Sequence, residues 1–260
     1  MSTVGTTMPG EVTRPGSAGA AARLAEAADE LAAEGRYEQA YQHLRTAVRL
    51  LTPLTDGADE LDRLRREHAE AREQSRRDSL TDSYNRRYLD EHLAALLDDR
   101  TVRSSDGVSV AFVDADHFKQ VNDSFGHRFG DRVLQCLVDE LALDLPAGGF
   151  CARYGGEEFA LVLPGCDIAA AVRTCEAARH RVDTHDWAAL EPTLRVTVSI
   201  GVAHGVGPVT DVEQLVDAAD TLLYAAKHSG RNAVAYRDEQ TGLVRLAGAA
   251  AARRSIVQPA

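Results

Sequence analysis

The stretch VSVAFVDADHFKQVND, residues 108–123, decides how the chain folds. Val108 to Val113 is a short, mostly apolar run, the length of a strand rather than a helix. Two carboxylates, Asp114 and Asp116, follow at once, and Phe118 to Ser124 then reads as a helix. Carboxylates at a strand's end are badly placed for a core and well placed for a hard cation. Mg²⁺ takes oxygen ligands from one or two carboxylates and leaves its other positions to water or substrate phosphate. The helix start behind them carries Lys119, and backbone N–H groups at a helix N-terminus favour phosphate. The bland alternative is a strand-to-helix turn capped by Asp116.

Outward from that stretch the elements alternate. FCARYGGEEFALVL, residues 150–163, reads as a hairpin with strands Phe150 to Tyr154 and Glu158 to Leu163, joined through Gly155 and Gly156. Helices are predicted over Arg86 to Leu97, Gly130 to Leu143, Ile168 to Val182 and Val212 to His228, and further strands over Leu194 to Val202 and Ala233 to Tyr236. Strand, helices, hairpin, helix, strand is the order of a split βαβ, ferredoxin-like α+β fold, expected to be an antiparallel sheet with helices on one face. With the hairpin beside the first strand, Glu157 can face Asp114. Two facing carboxylates repel unless a cation sits between them.

Ahead of this domain, residues 1–19 are small, polar and broken by Pro and Gly, the composition of a disordered tail. Over residues 20–56, Leu24, Ala27, Leu31, Gly35, Tyr37, Ala40, Leu44, Ala47 and Leu50 mark a helical hairpin whose pattern resembles one tetratricopeptide repeat. A single repeat cannot bury its faces alone, so this hairpin is expected to pack on a second subunit or the main domain, or to receive a partner protein. Residues 57–77 read as a charged linker helix with a short heptad seam at Leu61, Leu64, His68 and Ala71. Residues 238–260 read as a flexible, Ala-rich tail.

Composition narrows the function further. In this chain of 260 residues, 44% are hydrophobic and 27% charged, as in an ordinary globular protein. With 40 acidic against 29 basic residues the formal charge is -11, which argues against a partner such as a nucleic-acid polymer met by a positive face. No apolar run approaches the ~18 residues that span a bilayer, and the N-terminus lacks a basic region followed by an apolar core. A cytoplasmic protein with no membrane contact is therefore expected. Cys136, Cys151, Cys166 and Cys175 lie in no CxxC pair and read as core thiols. Lys119 and Lys227 are the only lysines in a chain otherwise basic through arginine. A lysine is a compact point charge suited to one phosphate oxygen, where arginine is a planar fork.

Gly155-Gly156-Glu157-Glu158-Phe159, read with the other motifs, makes residues 78–237 similar to the GGDEF domain family of diguanylate cyclases. Asp78, Leu80, Thr81, Asn85 and Arg86 match at the start, followed by Asp114 to Asp123, then Gly126, His127, Gly130 and Asp131. Ser199 to Val202 and then Tyr224, Ala226, Lys227, Gly230, Arg231 and Asn232 complete the match. The resemblance implies a nucleotide-cyclase palm that joins two GTP molecules into cyclic di-GMP in a homodimer, with two Mg²⁺ or Mn²⁺ ions per site. By the same resemblance Asp114 and Glu157 are the catalytic, metal-binding carboxylates, helped by the Ala115 carbonyl, with Glu158 nearby. Asn122 and Asp131 read guanine, Lys119, Lys227 and Arg231 hold the triphosphate, and Phe118 and Gly156 complete the substrate site. A carboxylate accepts the N1 and N2 protons of guanine, which adenine lacks, so Asp131 favours GTP over a mixed-nucleotide reaction.

Two departures stand out. Pro146 and Gly149 occupy the positions of the Arg-x-x-Asp product-inhibition site of many relatives, and Ser83 stands where leucine is usual. The alternative to a cyclase is a catalytically silent GTP-binding sensor or adaptor that recruits its partner through the hairpin.

Overall fold

The computed structural model describes residues 17–51, 57–98, 107–206 and 211–248, and the chain divides after Arg76 into two compact units. The tail expected at the N-terminus lies outside the described residues, except that residues 17–19 open the first helix.

The N-terminal unit contains the expected hairpin, α1 (Ser17–Ala33) against α2 (Tyr37–Leu51). After α1 the Gly35 N–H donates to the Ala32 carbonyl at 3.0 Å and the Arg36 N–H to the Leu31 carbonyl at 2.8 Å, the paired bonds of a Schellman stop. The fully buried seam is made of alanines, Ala21 and Ala28 on α1, Ala40 and Ala47 on α2. Small side chains let the two backbones close up. The larger residues of the predicted pattern, Leu24, Leu31 and Leu44, are only half-buried, and Leu50 is exposed. α3 (Gly57–Gln74) is the predicted charged helix; of its heptad positions Leu64 is half-buried, and the side chains of the other three lie outside the described residues.

The C-terminal unit runs β1 (Tyr84–Asn85), α4 (Arg86–Asp98), β2 (Val108–Ala115), α5 (Phe118–Phe125), α6 (His127–Ala142), β3 (Phe150–Gly155) and β4 (Glu158–Pro164). It continues with α7 (Ile168–Thr184), β5 (Val198–Gly205), α8 (Val212–His228), β6 (Val234–Arg237) and β7 (Val244–Leu246). The strand order is β1-β3-β4-β2-β5-β6-β7. β2 is antiparallel to both its neighbours, β4 and β5, as the sequence predicts, while β1–β3 and β5–β6 are parallel, so the whole sheet is mixed.

The helices cover both faces rather than the one expected. Ala111, Val113 and Ala115 of β2 pack with α5, α6 and α7, whereas Val108, Val110 and Phe112 pack with α4 and α8. Successive strand residues point to opposite faces, and every residue of β2 is buried. A strand buried on both sides reads as a near-continuous apolar run, which is how residues 108–113 read in the sequence apart from Ser109. The predicted strand at Leu194 starts four residues early, since regular pairing begins at Val198. The sheet also passes the boundary expected at 237: β7 pairs with β6, and Leu246 and Ala247 are buried. Three strand residues are too few to show alternation in a sequence. No helix among the described residues is long and apolar enough to cross a membrane. All four cysteines are free, with Cys151 and Cys175 buried and their thiols pushed up to about 12 by burial.

α8 lies close on β5 at Gly201, where a Cβ would collide with the Leu223 backbone nitrogen and the Ala219 carbonyl. Gly201→Ala should therefore lift α8 from the sheet and cost about 1–3 kcal/mol of stability, read as a lowered midpoint in urea denaturation.

Candidate active site

Asp114 lies at the C-terminal end of β2, the central strand. Strand alternation turns its side chain to the face that α8 covers, and Lys227 near the end of α8 places Nζ 2.7 Å from Asp114 Oδ2. Across the antiparallel ladder Asp114 stands opposite Glu158 on β4 and Ser199 on β5. One residue on, the Ala115 N–H donates to the Glu157 carbonyl at 3.3 Å, which ties the signature turn to the end of β2. Gly156 in that turn has φ 49° and open space around its α-carbon. Glycine takes this left-handed conformation without strain and leaves room for a ligand to come close.

The charges collected here oppose one another. Burial pushes the Asp114 carboxyl above its usual range, against the pull of Lys227 and the more distant Arg231. Burial also raises the Glu157 carboxyl, and the charges of Asp114 and Glu158 push it further. A divalent cation would relieve that crowding. Among the described residues no three acidic, His or Cys side chains converge on one point. The donors on offer are Asp114 and Glu157, with the Ala115 carbonyl and Glu158 beside them. Two carboxylates, with the remaining positions left to water and phosphate, is the set Mg²⁺ uses.

The other sequence-predicted residues fall into two groups. Asn122 on α5 lies against Gly130 of α6, where a Cβ would collide with its Oδ1, so the two helices bring Asn122 close to the Gly130-Asp131 pair. Lys119 is exposed in the first turn of α5, and Arg231 is exposed just beyond α8. Phe118, by contrast, is 4% exposed and belongs to the core under the sheet. Its side chain packs, and its backbone N–H at the start of α5 is the part that can meet a substrate.

Asp116 does not cap α5. The residue before that helix is His117, left-handed at φ 57° and without a side-chain cap. Asp116 is 6% exposed and accepts from Thr197 Oγ1 at 2.7 Å, Ser199 Oγ at 2.7 Å and the Asn232 N–H at 2.9 Å. These partners are far away in the chain, so sequence spacing carried no sign of them.

Arg153 ties two turns of the site together, a role that motif spacing does not reveal. Its Nε and Nη2 donate to the Gly156 carbonyl at 3.0 and 2.8 Å, and its Nη1 to Asp78 Oδ1 at 3.0 Å. Asp78 Oδ1 also accepts from the Leu80 and Thr81 N–H groups and the Thr81 hydroxyl. The turn that opens the domain is thereby tied to the signature turn. Ser83, in the usual leucine position, joins this turn through bonds to Thr81 Oγ1 at 2.8 Å and the Tyr84 carbonyl at 3.3 Å. Pro146 and Gly149 form a tight turn of their own, with the Gly149 N–H donating to the Pro146 carbonyl at 2.8 Å.

Known proteins resemble this chain in sequence and fold. Residues 75–233 match the family described as diguanylate cyclase, GGDEF domain. The chain belongs to the GGDEF domain family. It is 40% identical over 159 residues to the response regulator PleD of Caulobacter vibrioides, covering 60% of this chain and 35% of PleD. To the diguanylate cyclase VdcA of Vibrio cholerae it is 34% identical over 178 residues, 67% of this chain and 51% of VdcA. The chain thus spans about half or less of these curated relatives. The crystal structure of the coiled coil and GGDEF domain of DgcB from Caulobacter crescentus, in complex with c-di-GMP, superposes with TM-score 0.61 at 31% identity, covering 70% of this chain and 96% of that one. Diguanylate cyclase SiaD from Pseudomonas aeruginosa, in complex with its activator SiaC, superposes with TM-score 0.59 at 33% identity and covers 83% of this chain and 82% of that one. GGDEF cyclases as a family depend on a divalent metal.

Burial alone would raise the Asp78 carboxyl, but the bonds from Thr81 and Arg153 outweigh it and hold the group below its usual range. A carboxyl depressed by folding stabilises the fold above its unfolded pKa of about 3.9, and that contribution disappears as pH falls through the lower folded value. Asp78→Asn should thus cost about 1–3 kcal/mol near neutral pH. In paired denaturation curves the gap from wild type should close in the acid range below pH ~4.

Proposed function

We propose that this chain is a diguanylate cyclase that joins two GTP molecules into cyclic di-GMP and releases two pyrophosphates. The observation that carries the reading is the Asp114–Glu157 pair at adjoining strand ends, both carboxyls raised by burial, with Lys227 bonded to the first and Arg231 within its field. A site for neutral ligands has no use for such crowded charge. Two metal carboxylates with flanking cations suit a triphosphate.

Two Mg²⁺ or Mn²⁺ ions held by Asp114, Glu157 and the Ala115 carbonyl, with Glu158 nearby, would lower the pKa of the ribose 3′-hydroxyl and offset charge on the phosphoryl oxygens. The chain's own residues do the rest. Asn122 and Asp131 bind the guanine edge, the amide donating and accepting and the carboxylate accepting both N1 and N2 protons. Lys119, Lys227 and Arg231 hold the triphosphate, and the open turn at Gly156 admits the nucleotide. One site holds one GTP, so the reaction needs two subunits with their sites face to face, each hydroxyl attacking the other's α-phosphorus as pyrophosphate leaves. Holding two reactants in line replaces a bimolecular encounter and lowers the barrier by several kcal/mol.

The N-terminal helices set the distance between the two sites in this reading. Their half-buried leucines, Leu24, Leu31 and Leu44, are where a second subunit or a partner protein would pack. A solved relative bound to its activator, matching most of this chain's length, supports a protein input of that kind. The Pro146–Gly149 turn carries no charged pair, so cyclic di-GMP should not inhibit through the Arg-x-x-Asp position.

The deciding experiment is mass spectrometry of the products formed by the full chain from GTP and Mg²⁺. Cyclic di-GMP is expected, and Glu157→Gln should lower its formation ~10³-fold or more with an unchanged circular dichroism spectrum. GTP binding without product in any oligomeric state would instead establish the silent sensor. Both carboxylates must ionise to hold a cation, and both are raised. The rate should therefore fall, on acidification, at a pH above the ~4 of an ordinary carboxylate, as read from a pH–rate profile.

A further inference from the structure

α8 ends in a Schellman stop, with the Arg231 N–H donating to the Ala226 carbonyl at 3.3 Å and the Gly230 N–H to the Lys227 carbonyl at 3.4 Å. Beyond it the backbone stays left-handed for three residues, with φ 111° at Gly230, 64° at Arg231 and 45° at Asn232. Glycine adopts such angles freely, but each non-glycine residue there costs on the order of 1–3 kcal/mol and persists only where its surroundings over-determine it. Asparagine takes this conformation more readily than most non-glycine residues, but arginine does not.

Two side chains from elsewhere in the fold hold this conformation. Asp116, buried at the end of β2, accepts from the Asn232 N–H, and its other bonds anchor it to Thr197 and Ser199 at the start of β5. Arg179 of α7, 8% exposed, donates through Nη1 to Asn232 Oδ1 at 2.5 Å. Arg179 is itself fixed by Glu176 at 2.9 Å and Asp183 at 3.3 Å. Asn232 is thus held at its backbone by Asp116 and at its side chain by Arg179. The residue before it, Arg231, is the exposed cation whose field reaches Asp114.

We propose that Asp116 and Arg179 are positioning residues that clamp Asn232 in its left-handed conformation and so hold Arg231 at the triphosphate. The inference rests on the reading of Arg231 as a phosphate contact. Neither Asp116 nor Arg179 need touch substrate. The clamp acts on the triphosphate and leaves guanine recognition by Asn122 and Asp131, on other helices, unaffected. It also gives Asp116 a role separate from that of Asp114 in the same DxD pattern: one carboxylate faces the reaction and the other holds a turn.

The test is calorimetric titration of the full chain, with Mg²⁺, using 3′-deoxy-GTP, which cannot react, and GMP, which lacks the two distal phosphates. Asn232→Ala removes the Arg179 bond and puts a residue ill-suited to positive φ at the turn, while Arg179 keeps Glu176 and Asp183. It should weaken 3′-deoxy-GTP binding about tenfold and change GMP binding less than about twofold. Asn232→Gly removes the same amide but adopts the left-handed angle freely, and should recover part of the loss, leaving the share that the Arg179 bond supplies. Asp116→Asn should repeat the selective loss. Wild-type affinity for 3′-deoxy-GTP in both Asn232→Ala and Asp116→Asn would overturn the inference, as would equal losses for the two nucleotides or an Asn232→Gly variant as weak as Asn232→Ala. A wild-type chain that binds GMP but gains nothing from the distal phosphates would overturn the reading of Arg231 itself.

Discussion

Asp114 is a carboxylate at the end of a strand buried on both faces, and much of the surrounding structure answers its charge. Burial disfavours an ionised carboxyl, so the position is stable only with compensation. Lys227 supplies part of it from α8, and Arg231 adds its field from the turn beyond. Glu157 and Glu158 work in the other direction. Their presence beside Asp114 makes the site a net attractor of cations, which stability alone would not favour. The conflict is local, and in the proposed reading a dication and a polyphosphate together satisfy the charges that the protein leaves opposed.

That arrangement depends on how closely the layers approach. α8 can bring Lys227 to Asp114 because β5 has no side chain at Gly201 to hold the helix away. α6 reaches Asn122 for the same reason at Gly130. The signature turn is held twice, by the Ala115 N–H on the Glu157 carbonyl and by Arg153 on the Gly156 carbonyl. Through Arg153 it is also joined to Asp78 in the turn that opens the domain. A displacement at the start of the domain is therefore mechanically connected to the turn that presents Glu157.

Much of this was legible in the residues. The apolar run ending in Asp114 marked the central strand and its carboxylate end, and the Gly155-Gly156 turn marked the hairpin that places Glu157 beside it. The two lysines of an arginine-rich chain stand out by composition alone, and one of them is bonded to Asp114. Other features were hidden for identifiable reasons. The three-residue strand β7 is too short to show a period, and the second helical layer is signalled only by the absence of polar alternation in β2. Phe118 sits among motif residues yet lies in the core, since adjacency in a motif does not fix which way a side chain turns.

Local chemistry thus dictated the elements and singled out the candidate site carboxylates, because strand and helix periods, glycine turns and strand-end carboxylates are properties of neighbours in the chain. The fold alone determined which groups meet. Asp116 reads from its neighbours as a strand-end carboxylate for a cation or, alternatively, a helix cap, and its side chain is bound to Thr197, Ser199 and Asn232. Arg153 reads as an ordinary strand residue and instead joins two turns. A hydrogen bond needs its partners within about 3 Å, and only the packing of the helices on both faces of the sheet brings residues so distant in the chain to that separation.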